Sequence, residues 1–217
     1  MSSSEINSHI HKVAHPLLST HLANLRLATT SPKQFRELVR NITTVLVVEA
    51  TKDLGVHEVQ GEGPLAKFEG EEISGRIGLV PILRAGLGMV DAALALLPEN
   101  TSVQHIGLFR EKLSLQPVEY YSKLPETPNV DEVLILDPLV ATGGTAIVCV
   151  KMITDWGIPI SKIRFLCVLG SAQGLNSLAS ACPGLNIWVG AIDQTLNEKG
   201  LIIPGLGDTG DRLHATQ

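Results

Sequence analysis

The chain reads as an α/β protein built on a mostly parallel central sheet with helices on both faces. Three observations predict this. Apolar strand-like runs alternate with helix-like runs from residue 76 to residue 192. The strand-like runs, RIGLVPIL and VLIL foremost, lack polar alternation, which fits strands covered on both faces. Arg84, Arg110 and Asp137 each fall at or just past the end of such a run. Open α/β sheets bind ligands at that edge.

The elements follow in order. Residues 1–12 are polar and are expected to form a flexible arm. His9, His11, His15 and His21 crowd this end, but their spacing matches no metal site. Leucines at helical intervals predict a helix over 17–28. Thr29, Thr30 and Ser31 ahead of Pro32 signal a second helix over 33–54, stopped by Gly55. The charged, glycine-bearing stretch 56–75 is expected to be a hairpin or an excursion. A strand over 76–83 leads through a tight Arg84–Gly86 loop to a helix over 87–97, ended by Pro98. A strand over 103–110 precedes a long polar segment reaching Pro128. The central strand covers 130–136, and a helix over 145–156 closes at Gly157. A strand over 163–169, a short helix over 175–182 and a strand over 186–192 complete the alternation, leaving 195–217 as an irregular tail.

Composition sets further bounds. A length of 217 residues fits a single domain over 1–217, with 44% hydrophobic residues to build its core. The net charge of −5 disfavours nucleic acid and anionic membrane as partners, so an anionic substrate would need local cations. Cys149, Cys167 and Cys182 are odd in number, lie in apolar runs and form no CxxC. They read as reduced, buried thiols of a cytoplasmic protein. No apolar run is long enough for a membrane span, and no apolar segment near the N-terminus reads as a secretory signal.

The most informative run is VLILDPLVATGGTA, Val133 to Ala146. A buried strand ends at Asp137, and a small-residue loop follows and opens a helix. Glycines let backbone approach a ligand, and a helix start offers unpaired N–H groups and a positive dipole end. Thr142 and Thr145 add hydroxyl donors. Asp137 repels phosphate but accepts hydrogen bonds from a sugar diol, so the pair points to a sugar phosphate. A Walker A loop is excluded because the GK[ST] ending is missing. A plain strand-to-helix turn needs less than Gly143-Gly144 flanked by two threonines.

Other residues carry weaker signals. Arg84, beside Ala85 and Gly86, suits a diphosphate. Arg110 does too, although Glu111 offers it a local partner. GLGDTG, Gly205 to Gly210, matches a dinucleotide fingerprint letter for letter, but too few residues follow it to build the required unit. A tail loop folded over a flat polar ligand accounts for it better. Asp208 and Asp211 read either as turn caps or as carboxylates near a metal-bound diphosphate. Tyr120 and Tyr121 are either a packing pair or part of a flap.

These segments resemble a known family. Val133–Ala146 is similar to the phosphoribosyl pyrophosphate (PRPP) signature of type I phosphoribosyltransferases. VPILRAGLGMVDA, GLFREKLSLQPVEYYSKLP and LNEKGLIIPGLGDTGDR together resemble the uracil phosphoribosyltransferase branch, as does Pro138 after Asp137. The similarity spans about Val13 to His214. It implies a type I phosphoribosyltransferase fold with N-terminal helices and a C-terminal base-binding hood over 195–217. The implied reaction is pyrimidine salvage: PRPP and uracil give UMP and diphosphate. Mg²⁺ is the implied cofactor, held mainly by PRPP rather than by the protein.

The resemblance also assigns roles. Asp137 would hold the ribose hydroxyls, and Leu139, Val140, Ala141, Thr142, Gly143, Gly144 and Thr145 would cradle the 5′-phosphate. Arg84 and Arg110 would bind the diphosphate. Ile202, Gly207 and Thr209 would present backbone to uracil, with Asp208 on the PRPP–metal side. Arg84, Arg110 and Asp208 are the catalytic candidates. A homodimer or homotetramer and a GTP effector are implied as well. Two departures stand out: Leu201 where the family has tyrosine, and Lys112 where it has an acid. A catalytically weak nucleotide-binding regulator of the same fold, or a transferase for another nucleobase, stays open as an alternative.

Overall fold

The structure, a computed structural model, describes residues 8–110 and 117–216. In chain order the elements begin with β1 (Ile10–Lys12), α1 (Pro16–Arg26), α2 (Pro32–Thr51), β2 (Val56–Glu62), β3 (Lys67–Ile73), β4 (Ile77–Leu83) and α3 (Leu87–Leu94). Then come β5 (Ser102–Val103), β6 (Ile106–Arg110), β7 (Pro117–Ser122), β8 (Glu132–Leu136), β9 (Leu139–Val140) and α4 (Gly144–Trp156). The chain closes with β10 (Ile163–Ser171), α5 (Ala172–Ala181), β11 (Asn186–Asp193), β12 (Thr195–Leu196), β13 (Ile202–Ile203) and α6 (Thr209–His214).

The main sheet runs β1-β11-β10-β8-β4-β6-β7, parallel except at β7. Strand side chains alternate between its two faces. Leu134 and Leu136 enter one core with α1, α2 and α3, whereas Val133 and Ile135 enter the other with α4 and α5. The fold class expected from the apolar strands is therefore the one found, because both faces of these strands are covered.

Helix α2 shows how local sequence sets an element. Ser31 caps it, the Ser31 and Gln34 side chains form a reciprocal capping box, and Pro32 starts it. Phe35, Val39, Ile42, Leu46, Val47 and Ala50 make one buried stripe at helical spacing.

Several expectations are corrected. Residues 10–12 are no loose arm: β1 adds to the sheet edge beside β11. His9 and His11 both bond Asn186 Oδ1, at 3.2 and 3.1 Å, and His11 stacks on Trp188. His15 caps α1. The strand expected over 103–110 divides into β5 and β6, and part of the polar segment after it is β7, antiparallel to β6. The tail is not irregular, since β12 and β13 pair and α6 follows. The stretch 56–75 is the hairpin β2–β3.

The order of strands fixes where a ligand belongs. From β4 the chain passes outward through α3 to β6, and from β8 it passes through α4 to β10 on the other side. The carboxyl ends of β4 and β8 therefore flank a topological switch point, the usual ligand crevice of such sheets.

Candidate active site

Arg84 and Asp137 stand at that switch point. Pro81 pairs with Leu136, so the two strands end side by side. The Leu83–Arg84 peptide is cis. Gly86 presses onto the end of β8: a Cβ there would collide with the Leu136 carbonyl and with the Ile82 backbone. Only glycine fits, so the Arg84 loop is seated directly on the strand that leads to Asp137.

Beyond β8 the chain makes a short step. The Asp137 N–H donates to the Leu166 carbonyl at 3.2 Å, and the Pro138 carbonyl accepts from Val168 and Leu169 at 3.1 and 3.0 Å. Proline is tolerated here because this step asks for its carbonyl and for no donor at residue 138. Leu139 and Val140 then rejoin the sheet opposite Leu169 and Gly170. Asp137 is half-buried, and its Oδ1 lies 3.5 Å from the Leu139 N–H.

The loop from Ala141 to Thr145 is braced from behind. Ser171 Oγ donates to the Ala141 carbonyl and accepts from the Gly174 N–H. Gly143 has φ +86°, and a Cβ on it would lie 2.6 Å from the Gly174 carbonyl. Gly143 caps α4 without a side-chain hydrogen bond, and a Cβ on Gly144 would meet only Thr142 Oγ1, at 3.9 Å. The first amides of α4 have no acceptor within the helix, and their dipole end is positive. This is the geometry of an anion cradle.

The tail reaches both sides of the crevice. Its hairpin turn meets the cradle where a Cβ on Gly200 would be 3.4 Å from Thr142 Cγ2. At the other side, Arg84 Nη2 donates to Asp211 Oδ1 at 2.8 Å. Asp208 caps α6 by accepting the Asp211 N–H at 2.9 Å. The two readings thus divide: Asp208 is a cap, and Asp211 is the partner of Arg84. Ile202 is buried in β13, Gly207 has φ +73°, and Thr209 is 3% exposed with no hydrogen-bond partner for its Oγ1 among the described residues. Leu201 points outward, 55% exposed, and its backbone closes the turn on Asn197.

Arg110 ends β6, one strand beyond β4, and its side chain lies outside the described residues. Glu111, Lys112 and the first part of the expected flap also lie outside them. Tyr120 lies across Gly107, whose Cβ position is 2.6 Å from the ring. A separate cavity of about 490 Å³ flanks the tail, lined by Arg26, Pro32, Gly205, Gly207, Asp211 and Arg212 among others. Asp137 to Thr145 do not line it.

Sequence reasoning missed the groups that hold the tail. Arg26, Asp193, Arg36 and Arg212 bond it to the body of the fold. Asp193 ends β11 just as Asp137 follows β8, so the pattern of polar residues at strand ends could have exposed it. Burial, reinforced by the Asp137 charge, pushes the Cys149 and Cys167 thiols up. Both stay protonated and are poor nucleophiles. Among the described residues no three His, Cys, Asp or Glu side chains gather as a metal site.

Comparison with known proteins agrees with this arrangement. The sequence model of the family described as uracil phosphoribosyltransferase matches residues 12–216. A relative from Roseiflexus castenholzii named uracil phosphoribosyltransferase is 50% identical over 202 residues, covering 93% of this chain and 96% of its own. One of the same name from Natranaerobius thermophilus is 44% identical over 211 residues, covering 97% and 100%. The solved AQ2163 protein of Aquifex aeolicus superposes with a TM-score of 0.89 at 34% identity, covering 96% of this chain and 99% of that one. Matched from end to end in sequence and fold, the chain belongs to the uracil phosphoribosyltransferase family.

Proposed function

We propose that this chain transfers the 5-phosphoribosyl group of PRPP to N1 of uracil. The C1′–oxygen bond to diphosphate breaks, the C1′–N1 bond forms, and N1 gives up its proton. The observation that carries this reading is the meeting of three parts at one crevice: the anion cradle at 141–145, the Arg84 cation and the tail.

Each part has a task in such a transfer. The amides of Ala141 to Thr145 and the hydroxyls of Thr142 and Thr145 bind the 5′-phosphate, with Leu139 and Val140 holding the loop to the sheet. Asp137 accepts from the ribose hydroxyls, which fixes the ring. Charge builds on the leaving diphosphate, so Arg84 and Arg110 act by electrostatic stabilisation rather than by covalent attack. Ile202, Gly207 and Thr209 offer backbone groups to the edge of uracil. Asp208 has one oxygen engaged in its cap, and the other is offered to the PRPP–metal side. Mg²⁺, held mainly by PRPP rather than by this chain, would supply charge neutralisation for the diphosphate.

Assembly and setting belong to the same reading. The β2–β3 hairpin exposes Val56, Leu65 and Phe68, and a lone two-stranded hairpin is marginal in water. This supports a homodimer or homotetramer, which sedimentation checks. Three free, buried cysteines support a reducing, cytoplasmic setting. Among the described residues no helix is long and apolar enough to cross a membrane.

The deciding experiment incubates the protein with PRPP, Mg²⁺ and radiolabelled uracil. UMP is expected to form, with cytosine, hypoxanthine and xanthine failing to compete. Arg84→Ala is expected to lower kcat/KM by about 10²–10³-fold, the usual loss on removing a charge-stabilising donor. UMP binding without UMP formation would instead mark a regulator, and competition by another base would mark a different transferase.

A further inference from the structure

The tail holds Arg84 from behind. Besides the Asp211 contact, Arg84 Nη1 donates to Thr216 Oγ1 at 3.3 Å, and the Thr216 hydroxyl donates to the same Asp211 oxygen at 2.7 Å. His214 Nε2 lies 3.4 Å from the Arg84 carbonyl. Residues 211–216 therefore fix both the guanidinium and the backbone of this one cation.

The geometry leaves the guanidinium usable. Two of its five N–H donors are engaged among the described residues, and the side chain is 52% exposed. A carboxylate beside a guanidinium sets the plane of the fork, so the fork needs less reorientation as charge builds on a leaving diphosphate. Asp211 is also two positions past Thr209, on the segment expected to face the base. Its carboxyl is held below the ordinary range by the Thr216 hydroxyl first and then by Arg84, so it is ionised at neutral pH.

We infer that Asp211 is a positioning residue for the transfer: it aims the Arg84 guanidinium at the leaving diphosphate and ties that cation to the base-binding tail. The inference rests on the transferase reading above. Its consequences separate binding from turnover. The Asp211 charge opposes an incoming diphosphate, so neutralising it does not weaken ground-state binding. It does release the aim of Arg84 when charge develops on the leaving group. A carboxylate that merely braced the tail would behave otherwise, raising KM for uracil and lowering Tm.

The test uses Asp211→Asn, which keeps the backbone N–H that Asp208 caps. The variant is expected to lose about tenfold or more in kcat while KM for PRPP rises by no more than about twofold. Asp211→Glu should recover part of the kcat. In an Arg84→Ala background, Asp211→Asn should cause no further loss, since the two act as a unit. Additive losses, or a raised KM for uracil with unchanged kcat, overturn the inference. Calorimetric titration with magnesium diphosphate reads ground-state binding without turnover. Asp211→Asn should bind at least as tightly as the parent, with Arg84 present or replaced by Ala, because it removes a charge that opposes the ligand. Weaker binding in either background overturns the inference. A parent protein that makes no UMP yet shows this binding pattern overturns the transferase reading alone.

Discussion

Arg26 and Asp193 form a paired ion bridge between the last turn of α1 and the end of β11. Nη1 meets Oδ2 at 2.8 Å and Nη2 meets Oδ1 at 2.7 Å. Both partners also grip the tail: Asp193 Oδ2 accepts the Gly205 N–H at 3.0 Å, and Arg26 donates to the Gly205 carbonyl at 3.0 Å. Three parts of the chain are thereby joined at the root of the tail.

Neutralising Asp193 should therefore cost stability. Removing one partner of a fully buried pair costs about 3–5 kcal/mol. Asp193 is 8% exposed but Arg26 is 25% exposed, so water can partly rescue the arginine. Asp193→Asn is expected to lose about 2–3 kcal/mol in urea unfolding at neutral pH, half to two-thirds of the fully buried value. A loss below about 0.5 kcal/mol, the scale of an exposed pair, would show that the bridge does not hold the tail.

The same carboxylate sets a pH dependence. Burial alone would raise its pKa, but hydrogen bonds from Arg26 and the Gly205 N–H, with the Arg26 charge, outweigh burial and hold it below the ordinary range. A lowered folded pKa contributes stability that is complete above the unfolded value, about 4. That stability is lost as pH falls through the folded value. Unfolding free energy should thus decline below about pH 4, and Asp193→Asn should flatten part of that decline. Parallel pH curves for parent and variant would contradict this.

How much of this was legible in the sequence depends on the range of the forces involved. Val133–Leu136 was legible because both-face burial removes polar alternation within a few residues. The Gly143-Gly144 loop was legible because a left-handed cap and a close approach leave few residue choices. The start of α2 was legible because Ser31, Pro32 and Gln34 act within one turn. By contrast, β1 is a strand only because β11 lies beside it, and no three-residue pattern carries that. The Arg26–Asp193 bridge and the Arg84–Asp211 contact join residues far apart in the chain, so only the fold brings them together. Asp208 and Asp211 fit the same two roles by residue type, and only the fold makes Asp208 the cap and Asp211 the partner of Arg84.

The brace behind the cradle gives a third prediction. In a helix, Gly→Ala usually gains up to about 1 kcal/mol from propensity. At Gly174 that gain is outweighed, because a Cβ would collide with the Ala141 carbonyl and crowd Ser171 Oγ, which holds it. Overpacking of this kind costs about 1–3 kcal/mol. Gly174→Ala should therefore lower Tm, and by pushing Ala141 outward it should raise KM for PRPP by about tenfold while KM for uracil changes little. An unchanged KM for PRPP would mean that the cradle does not depend on this brace.

Thr209 supplies the last prediction. Its hydroxyl is buried at 3% exposure without a hydrogen-bond partner among the described residues. A buried polar group left unpaired costs about 1–3 kcal/mol, whereas an apolar group of the same shape carries no such penalty. Thr209→Val keeps the branched shape and removes the hydroxyl. The free protein should become more stable by about 1 kcal/mol, read as a rise in Tm. The unpaired hydroxyl lies beside the Thr209 backbone groups offered to uracil and gives the base one more polar partner. KM for uracil should accordingly rise in the same variant, with KM for PRPP unchanged. Loss of stability on substitution would mean that the hydroxyl is already satisfied, through a bound water, and that its burial says nothing about the base.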